Sequence, residues 1–473
     1  MSLNFDECYR LSKNIEIEEK DGQFLYIDYE STNWLRTDEI GSDIIKKCDG
    51  SQTLSAILNE KANNDGFNYD TLASILSPFL EKCIQKGIIV EKNSDIDKED
   101  NLFTELNYLF PKDIWIHVSE RCNLKCPFCY SNSSSDVCRS LEMNKVINFL
   151  SGIPQENRNS IIISGGEPFM YPDLPELVDK IKNELKFRFI SVITNGTVGE
   201  DVYLNVIPNI DILQISLDGT TAEVHDITRG TGSFDKVCKK FVLAKELKVK
   251  KLVCSFTPTK YNIHDLPNLP LFAYNNNIDA LHITRLMPTG RGQRNKDVLY
   301  PDLKVYNDSI NGFIENIRDV NRKIYMQRST NDFFESEDQK RKYIGVTFAS
   351  DQTEKVVEGG RRLNCGLANI ISIGYDSKIY PCPSLSAEEF ELGGLDNTID
   401  EIMVNANKFA NKYSVNCINE ECKTCKYKYF CGGGCRACTY GLGDIAGEDP
   451  SCSFYKQCIE NALWNYNITD YIE

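Results

Sequence analysis

Between residues 113 and 288 the chain repeats one pattern six times: a short apolar run, a polar or glycine-containing motif, then a stretch with helical spacing. The runs cover 114–118, 160–164, 187–193, 212–217, 251–256 and 280–284. Runs this short and continuous suit strands covered on both faces. Their alternation with helices predicts a parallel sheet joined by right-handed crossovers. The expected fold class is α/β, a partial (β/α)6 barrel, which places its chemistry at the carboxyl ends of the strands. The motifs fall mostly at those ends: 119–130 after the first run, then Gly165-Gly166-Glu167-Pro168, Thr194-Asn195-Gly196, Asp218-Gly219, Thr257-Pro258 and 285–288.

The first motif carries Cys122, Cys126 and Cys129, spaced C-x3-C-x2-C. Three thiolates are one short of a closed tetrahedral zinc site or a fully ligated iron–sulfur cluster. A four-iron cluster held by these three keeps one iron open for a substrate, and the spacing alone also admits a zinc loop. The triplet is followed by the aromatic Tyr130, and the glycine and polar motifs follow it in order. This arrangement resembles the signature of radical S-adenosylmethionine (SAM) enzymes. The resemblance implies that Cys122, Cys126 and Cys129 hold a catalytic 4Fe-4S cluster whose open iron chelates SAM. One electron then breaks a carbon–sulfur bond and releases a 5′-deoxyadenosyl radical, while the protein holds, aims and shields the reactants.

The same resemblance assigns further contacts. Gly165, Gly166, Glu167 and Pro168 meet the SAM amino group, and the glycine pair is expected to bare its backbone to the ligand. Asn195, Ser216 and Asp218 lie where the family contacts the ribose or the methionine end. Arg229 pairs with the carboxylate, for which a guanidinium fork is suited; its plainer reading is a surface salt bridge. Phe128 lines the adenine.

A second cysteine-rich region begins at Cys365. Nine of the nineteen cysteines fall between Cys365 and Cys452. Cys365 and Cys382 flank a hairpin pattern that includes Gly374. Cys422, Cys425, Cys431 and Cys435 follow as C-x2-C-x5-C-x3-C, with Gly432-Gly433-Gly434 between the last two, and Cys452 lies seventeen positions on. Two zinc ions would satisfy this spacing. The pattern also resembles the SPASM extension of radical SAM enzymes. That implies two auxiliary 4Fe-4S clusters: an outer one on Cys422, Cys425, Cys431 and Cys452, and an inner one on Cys365, Cys382 and Cys435. No cysteine follows shortly after Cys365, so the fourth inner ligand is Cys417, Cys438 or neither. With neither, one iron stays open for a substrate thiolate; with one, the inner cluster becomes an electron relay. The seven scattered cysteines, Cys138 among them, suit buried small hydrophobes.

Residues 1–92 combine a hairpin signal turning at Asp21-Gly22, three helical patterns near 37–47, 53–63 and 69–86, and a closing strand at 88–90. Ser51 or Thr53 suits the cap of the second helix. Together they predict a winged-helix-like module. Asp49-Gly50 before a Leu/Ile-spaced helix resembles the peptide-recognition domain of ribosomal-peptide maturases, which is similar to the pyrroloquinoline quinone chaperone. That implies a leader peptide adding as a strand to a sheet edge; the alternatives are a DNA-binding winged helix or a packing module. Residues 93–112 form a linker, 113–340 the barrel, and 345–473 the cysteine-rich SPASM domain, closed by a helix near 452–466. The polar stretch 296–342 is expected to cover the open side of the barrel.

The net charge of −16 argues against a nucleic-acid partner. No apolar run is long enough to span a bilayer, and the first fourteen residues carry no apolar signal core, so a cytoplasmic location is expected. The layout is most similar to the sactipeptide and ranthipeptide thioether synthases. This implies a radical SAM maturase that joins cysteine sulfur to carbon in a ribosomal precursor peptide. It would use SAM, three 4Fe-4S clusters and an external electron donor such as flavodoxin or ferredoxin. The alternatives are a carbon–carbon crosslinking maturase, a sulfatase-type side-chain maturase, and a zinc-bearing winged-helix binding protein.

Overall fold

The computed structural model describes residues 3–94, 103–137, 139–330, 343–349, 356–357 and 359–465. Cys138, part of the expected linker, residues 331–342 and the end of the closing helix lie outside the described residues.

Residues 3–92 build two small antiparallel sheets and three helices. The strands are β1 (Cys8–Leu11), β2 (Glu16–Lys20), β3 (Gln23–Asp28), β4 (Asn33–Thr37), β5 (Asp49–Thr53) and β6 (Ile89–Glu91). They pair as β5-β1-β6 and β2-β3-β4. Asp21 and Gly22 both take positive φ (51° and 75°), which matches the twist of a two-residue hairpin turn. The helices span Glu39–Lys47, Leu54–Asp65 and Tyr69–Gln85. Thr53 caps the second, its hydroxyl accepting from the Ala56 amide at 3.3 Å. β3 is buried on both faces. Tyr26 packs among Ile44, Ile45 and Leu80 of the module, while its neighbours Leu25 and Ile27 pack against Tyr427, Phe430, Ile459 and Leu463 near the other end of the chain. The period of two along one strand thereby ties the module to the cysteine-rich region.

The six expected barrel strands are β7 (Asp113–His117), β8 (Ser160–Ser164), β9 (Phe189–Thr194), β10 (Ile212–Ser216), β11 (Lys251–Phe256) and β12 (Ala280–Ile283). They lie side by side in chain order and all pair in parallel. Two further strands extend this sheet. β13 (Gly345–Phe348) pairs in parallel outside β12. β14 (Ile370–Ile373) pairs in parallel outside β7 and turns back through β15 (Lys378–Tyr380) and β16 (Gly393–Gly394). The cysteine-rich region is therefore built onto the first barrel strand, and the barrel sheet runs to residue 348, past the expected boundary.

The helix Leu303–Thr330 differs from expectation. It packs on the outside of the barrel against Ile263–Asn268 and Leu269–Asn275. Buried Phe313, Val320 and Ile324 lie on its inner face, so it belongs to the crossover between β12 and β13 and does not cover the open side. The end of the expected linker is also fixed in place. Asn411 and Asn407, from the helix Ile399–Lys412, bond the backbone of Leu106 and Tyr108 with both their amide donors and acceptors. No described helix is long and apolar enough to cross a membrane.

Candidate active site

β7 delivers the cysteine loop to the mouth of the barrel. Cys122 and Cys126 are buried and Cys129 half-buried. The three thiols lie close enough to act on one another electrostatically, and burial pushes Cys122 up to about 12 and raises Cys126. Thiols held this way ionise when a cation offsets the burial. Around Cys126 the positive charges of Arg229 and Arg291 already work in that direction. The Leu124 amide (3.5 Å) and the Asn195 side-chain amide (3.7 Å) donate to the Cys122 sulfur. Three soft donors with hydrogen bonds aimed at sulfur suit an iron–sulfur cluster.

The loop is braced by residues that sequence reasoning missed. Arg291 donates to the carbonyls of Cys126 and Ser133, both at 2.8 Å, and Asn295 to that of Pro127 at 2.8 Å. These polar side chains on Gly290–Arg294 and just beyond carry no motif, so only the fold reveals them. Tyr130 sets its hydroxyl 3.1 Å from Nε2 of buried His117 on β7.

The glycine pair also has a packing role. A Cβ on Gly165 would sit 2.6 Å from the Ser119 carbonyl, and one on Gly166 would strike the Arg121 carbonyl. The Gly166 and Glu167 amides donate to those same carbonyls at 2.6 and 2.8 Å. The pair lets the β8 loop lie against the cysteine loop, and the close approach is to protein backbone.

Glu167 is fully buried. Its carboxyl accepts from the Thr194 hydroxyl (2.7 Å) and from the amides of Asn195 (2.7 Å) and Phe169 (3.1 Å). Burial pushes its pKa up to about 7, against these bonds. The folded chain thus holds this proton up to about pH 7, whereas an unfolded glutamate releases it above about 4.5. The bound proton makes stability fall as pH rises from about 4.5 to 7 and level off above. Glu167→Gln cannot lose a proton, so its stability relative to the wild type should rise by roughly 3 kcal/mol across that window. Urea unfolding of both proteins at several pH values checks this.

Asp218 and Arg229 form a buried pair. Asp218 is fully buried, and Arg229 Nε reaches its Oδ2 at 2.5 Å. The Thr257 amide donates to the other oxygen at 2.8 Å. The Arg229 guanidinium lies 5.2 Å over the Phe128 ring. Burial opposes its charge, but Asp218 and Cys126 outweigh that and raise its pKa. Arg229 is therefore no surface salt bridge: it stands beside the cysteine loop with Asp218 behind it. Ser216 closes β10, in register with Ser255.

In the second cysteine region, Cys422, Cys425, Cys431 and Cys452 line one cavity with Gly433, Gly434 and Asp449. Cys382, in turn, feels the charges of Cys435 and Cys365. Of the two fourth-ligand candidates, Cys438 is buried, its thiol 3.6 Å from Met287 Sδ, and its closeness to Cys435 holds that group below the ordinary range. Cys417 is exposed on a turn, its amide bonded to the Ser414 carbonyl. No three His, Cys, Asp or Glu side chains among the described residues stand where one metal ion would hold them together.

Residues 116–271 match the model of the Radical SAM superfamily. These residues form a radical SAM domain, built on β7–β11 with the cysteine loop at its mouth. The chain is 26% identical over 355 residues to an AdoMet-dependent heme synthase of Methanosarcina barkeri, covering 73% of this chain and 97% of that protein. It is 24% identical over 448 residues to AlbA, the antilisterial bacteriocin subtilosin biosynthesis protein of Bacillus subtilis, covering 87% and 88%. Streptococcus suis SuiB bound to its precursor peptide SuiA shares the fold, with a TM-score of 0.53 at 16% identity over 94% of this chain and 99% of that one. The match to the radical SAM model favours an enzyme over the zinc-bearing binding protein.

Proposed function

We propose that this enzyme matures a ribosomally made precursor peptide by joining a cysteine sulfur to a carbon of the core peptide. The observation that carries this reading is the shared core of β3 with Tyr427, Phe430 and the helix Cys452–Asn465. It ties residues 3–92, read as the peptide-recognition module, to the cysteine-rich region. The likeness to AlbA, which reaches into that module, and the shared fold with SuiB in its peptide complex support the reading.

A leader held on residues 1–92 raises the local concentration of the core peptide at the barrel. Cys122, Cys126 and Cys129 hold the 4Fe-4S cluster, and with SAM that group supplies a hydrogen-abstracting 5′-deoxyadenosyl radical. Arg229, backed by Asp218 and stacked on Phe128, orients the SAM carboxylate. Glu167 locks the β8 and β9 loops, which fixes Asn195 beside Cys122. Cys422, Cys425, Cys431 and Cys452 hold an outer auxiliary cluster. Cys365, Cys382 and Cys435, with Cys438 as fourth donor, hold an inner one. Four protein donors suit an electron relay from the peptide to an external donor–acceptor protein of the flavodoxin or ferredoxin kind. The buried strands around the mouth exclude water and stray carbon–hydrogen bonds from the radical.

The test is anaerobic co-expression with a cysteine-containing precursor peptide encoded beside the gene, followed by mass spectrometry with and without thiol alkylation. Loss of two hydrogens and one alkylatable thiol per crosslink is expected. Loss of two hydrogens with every thiol still reactive would replace the thioether with a carbon–carbon bond. The module at 1–92 disfavours a sulfatase-type substrate, which needs no leader.

A further inference from the structure

The chain contains a buried charge pair that none of the proposed chemistry uses. Arg285 lies two residues past β12, at the barrel mouth. Its guanidinium forks onto Asp449, with Nη1 to Oδ2 at 3.0 Å and Nη2 to Oδ1 at 2.5 Å. Side-chain exposure is 13% for Arg285 and 2% for Asp449. Ser451 accepts from Nη2 at 3.1 Å and the Tyr455 hydroxyl accepts from Nη1. A bidentate pair fixes orientation as well as distance.

Asp449 also holds both cysteine sites. Its Oδ2 accepts from the Cys435 amide at 2.6 Å. Its Oδ1 accepts from the Ser451 amide at 2.7 Å, and its carbonyl from the Cys452 amide at 2.9 Å. Asp449 and Tyr455 form part of the cavity wall shared with Cys422, Cys425, Cys431 and Cys452. A Cβ on Gly434 would stand 2.5 Å from the Asp449 Cβ, so the chain beside Cys435 is shaped around this carboxylate.

From this geometry we infer that Arg285 and Asp449 are positioning residues that register the two auxiliary cysteine sites against each other and the barrel mouth, and set the reduction potential of the inner one. The inference rests on the auxiliary-cluster reading above. A buried charge left without its partner acts strongly on its neighbours, because little water screens it. Asp449→Asn keeps the acceptor for Cys435 but leaves Arg285 uncompensated, which favours the reduced inner cluster. Arg285→Met leaves Asp449 uncompensated, which favours the oxidised one. A purely structural role would not produce shifts of opposite sign.

The experiment is redox titration of the reconstituted full chain, followed by electron paramagnetic resonance, in a Cys122→Ala, Cys126→Ala, Cys129→Ala background that silences the first site. Iron is counted in every sample. The expected result is full auxiliary iron, about eight atoms per chain, with Asp449→Asn raising the inner potential and Arg285→Met lowering it. Each shift should reach at least tenfold in the reduction equilibrium, about 59 mV for one electron. Unchanged potentials at full iron would overturn the inference while leaving the clusters in place. Absence of auxiliary iron in the background chain would overturn it together with the cluster reading. Should Arg285→Met unfold the chain, Arg285→Gln serves instead: it removes the charge and keeps amide donors for Asp449, and a potential no lower than the parent's would equally overturn the inference.

Discussion

Cys126→Ala is expected to reduce cleavage of SAM to 5′-deoxyadenosine to background and to remove about four of about twelve bound iron atoms. The effect should fall on the metal and spare the fold. The backbone of the loop is held from outside by Arg291 and Asn295 through the Cys126 and Pro127 carbonyls, and those bonds do not involve the thiol. The buried Cys126 thiol feels the charges of Arg229, Asp218 and Cys129. Alanine there removes one soft donor and leaves too few for a four-iron cluster. Iron analysis, deoxyadenosine chromatography and far-ultraviolet circular dichroism on one preparation check all three parts. Retention of SAM cleavage by the variant would remove the triplet from the chemistry.

Arg229→Met should have the second largest effect, on stability and SAM binding together. Removing the arginine strands the Asp218 carboxylate, which is fully buried. Breaking a buried pair from one side costs roughly 3–5 kcal/mol. Adding Asp218→Asn should restore much of that stability, because the stranded charge is gone and the Thr257 amide keeps an acceptor. SAM affinity should stay low in the double variant, since the group proposed to face the SAM carboxylate is still missing. Denaturant unfolding and equilibrium dialysis of SAM, arranged as a double-mutant cycle, separate the two effects. Recovery of both properties together would confine Arg229 to a structural role.

Where local pattern and burial agree, the fold is legible in the sequence. The barrel strands are apolar runs cut off by polar motifs, and all six appear within about two residues of where the runs place them. The hairpin at Asp21-Gly22 and the Thr53 cap follow from turn and capping chemistry alone. The segments that escape notice have no such pattern. Asp49–Thr53 is a strand with no apolar side chain, recruited by pairing with Cys8–Leu11. Gly345–Phe348 is a strand because the edge of β12 accepts it.

The candidate site divides the same way. Cysteine spacing marks its candidate metal-binding residues, and it anticipates the four thiols that line one cavity. The supporting groups are set by tertiary placement. Arg291 lies 165 positions from Cys126, and Arg285 lies 164 from Asp449, beyond any local pattern. The glycine pair shows the limit most plainly. Its small size was legible, but the surface that requires it, the Ser119 and Arg121 carbonyls, appears only once β7 and β8 are paired.

The most direct test of the central claim is the transfer of hydrogen from peptide to cofactor. The reaction would be run with a precursor peptide deuterated at the core residues, and the 5′-deoxyadenosine examined by mass spectrometry. The proposed function predicts one deuterium in 5′-deoxyadenosine for each crosslink formed. Crosslinked peptide accompanied by unlabelled 5′-deoxyadenosine would contradict it.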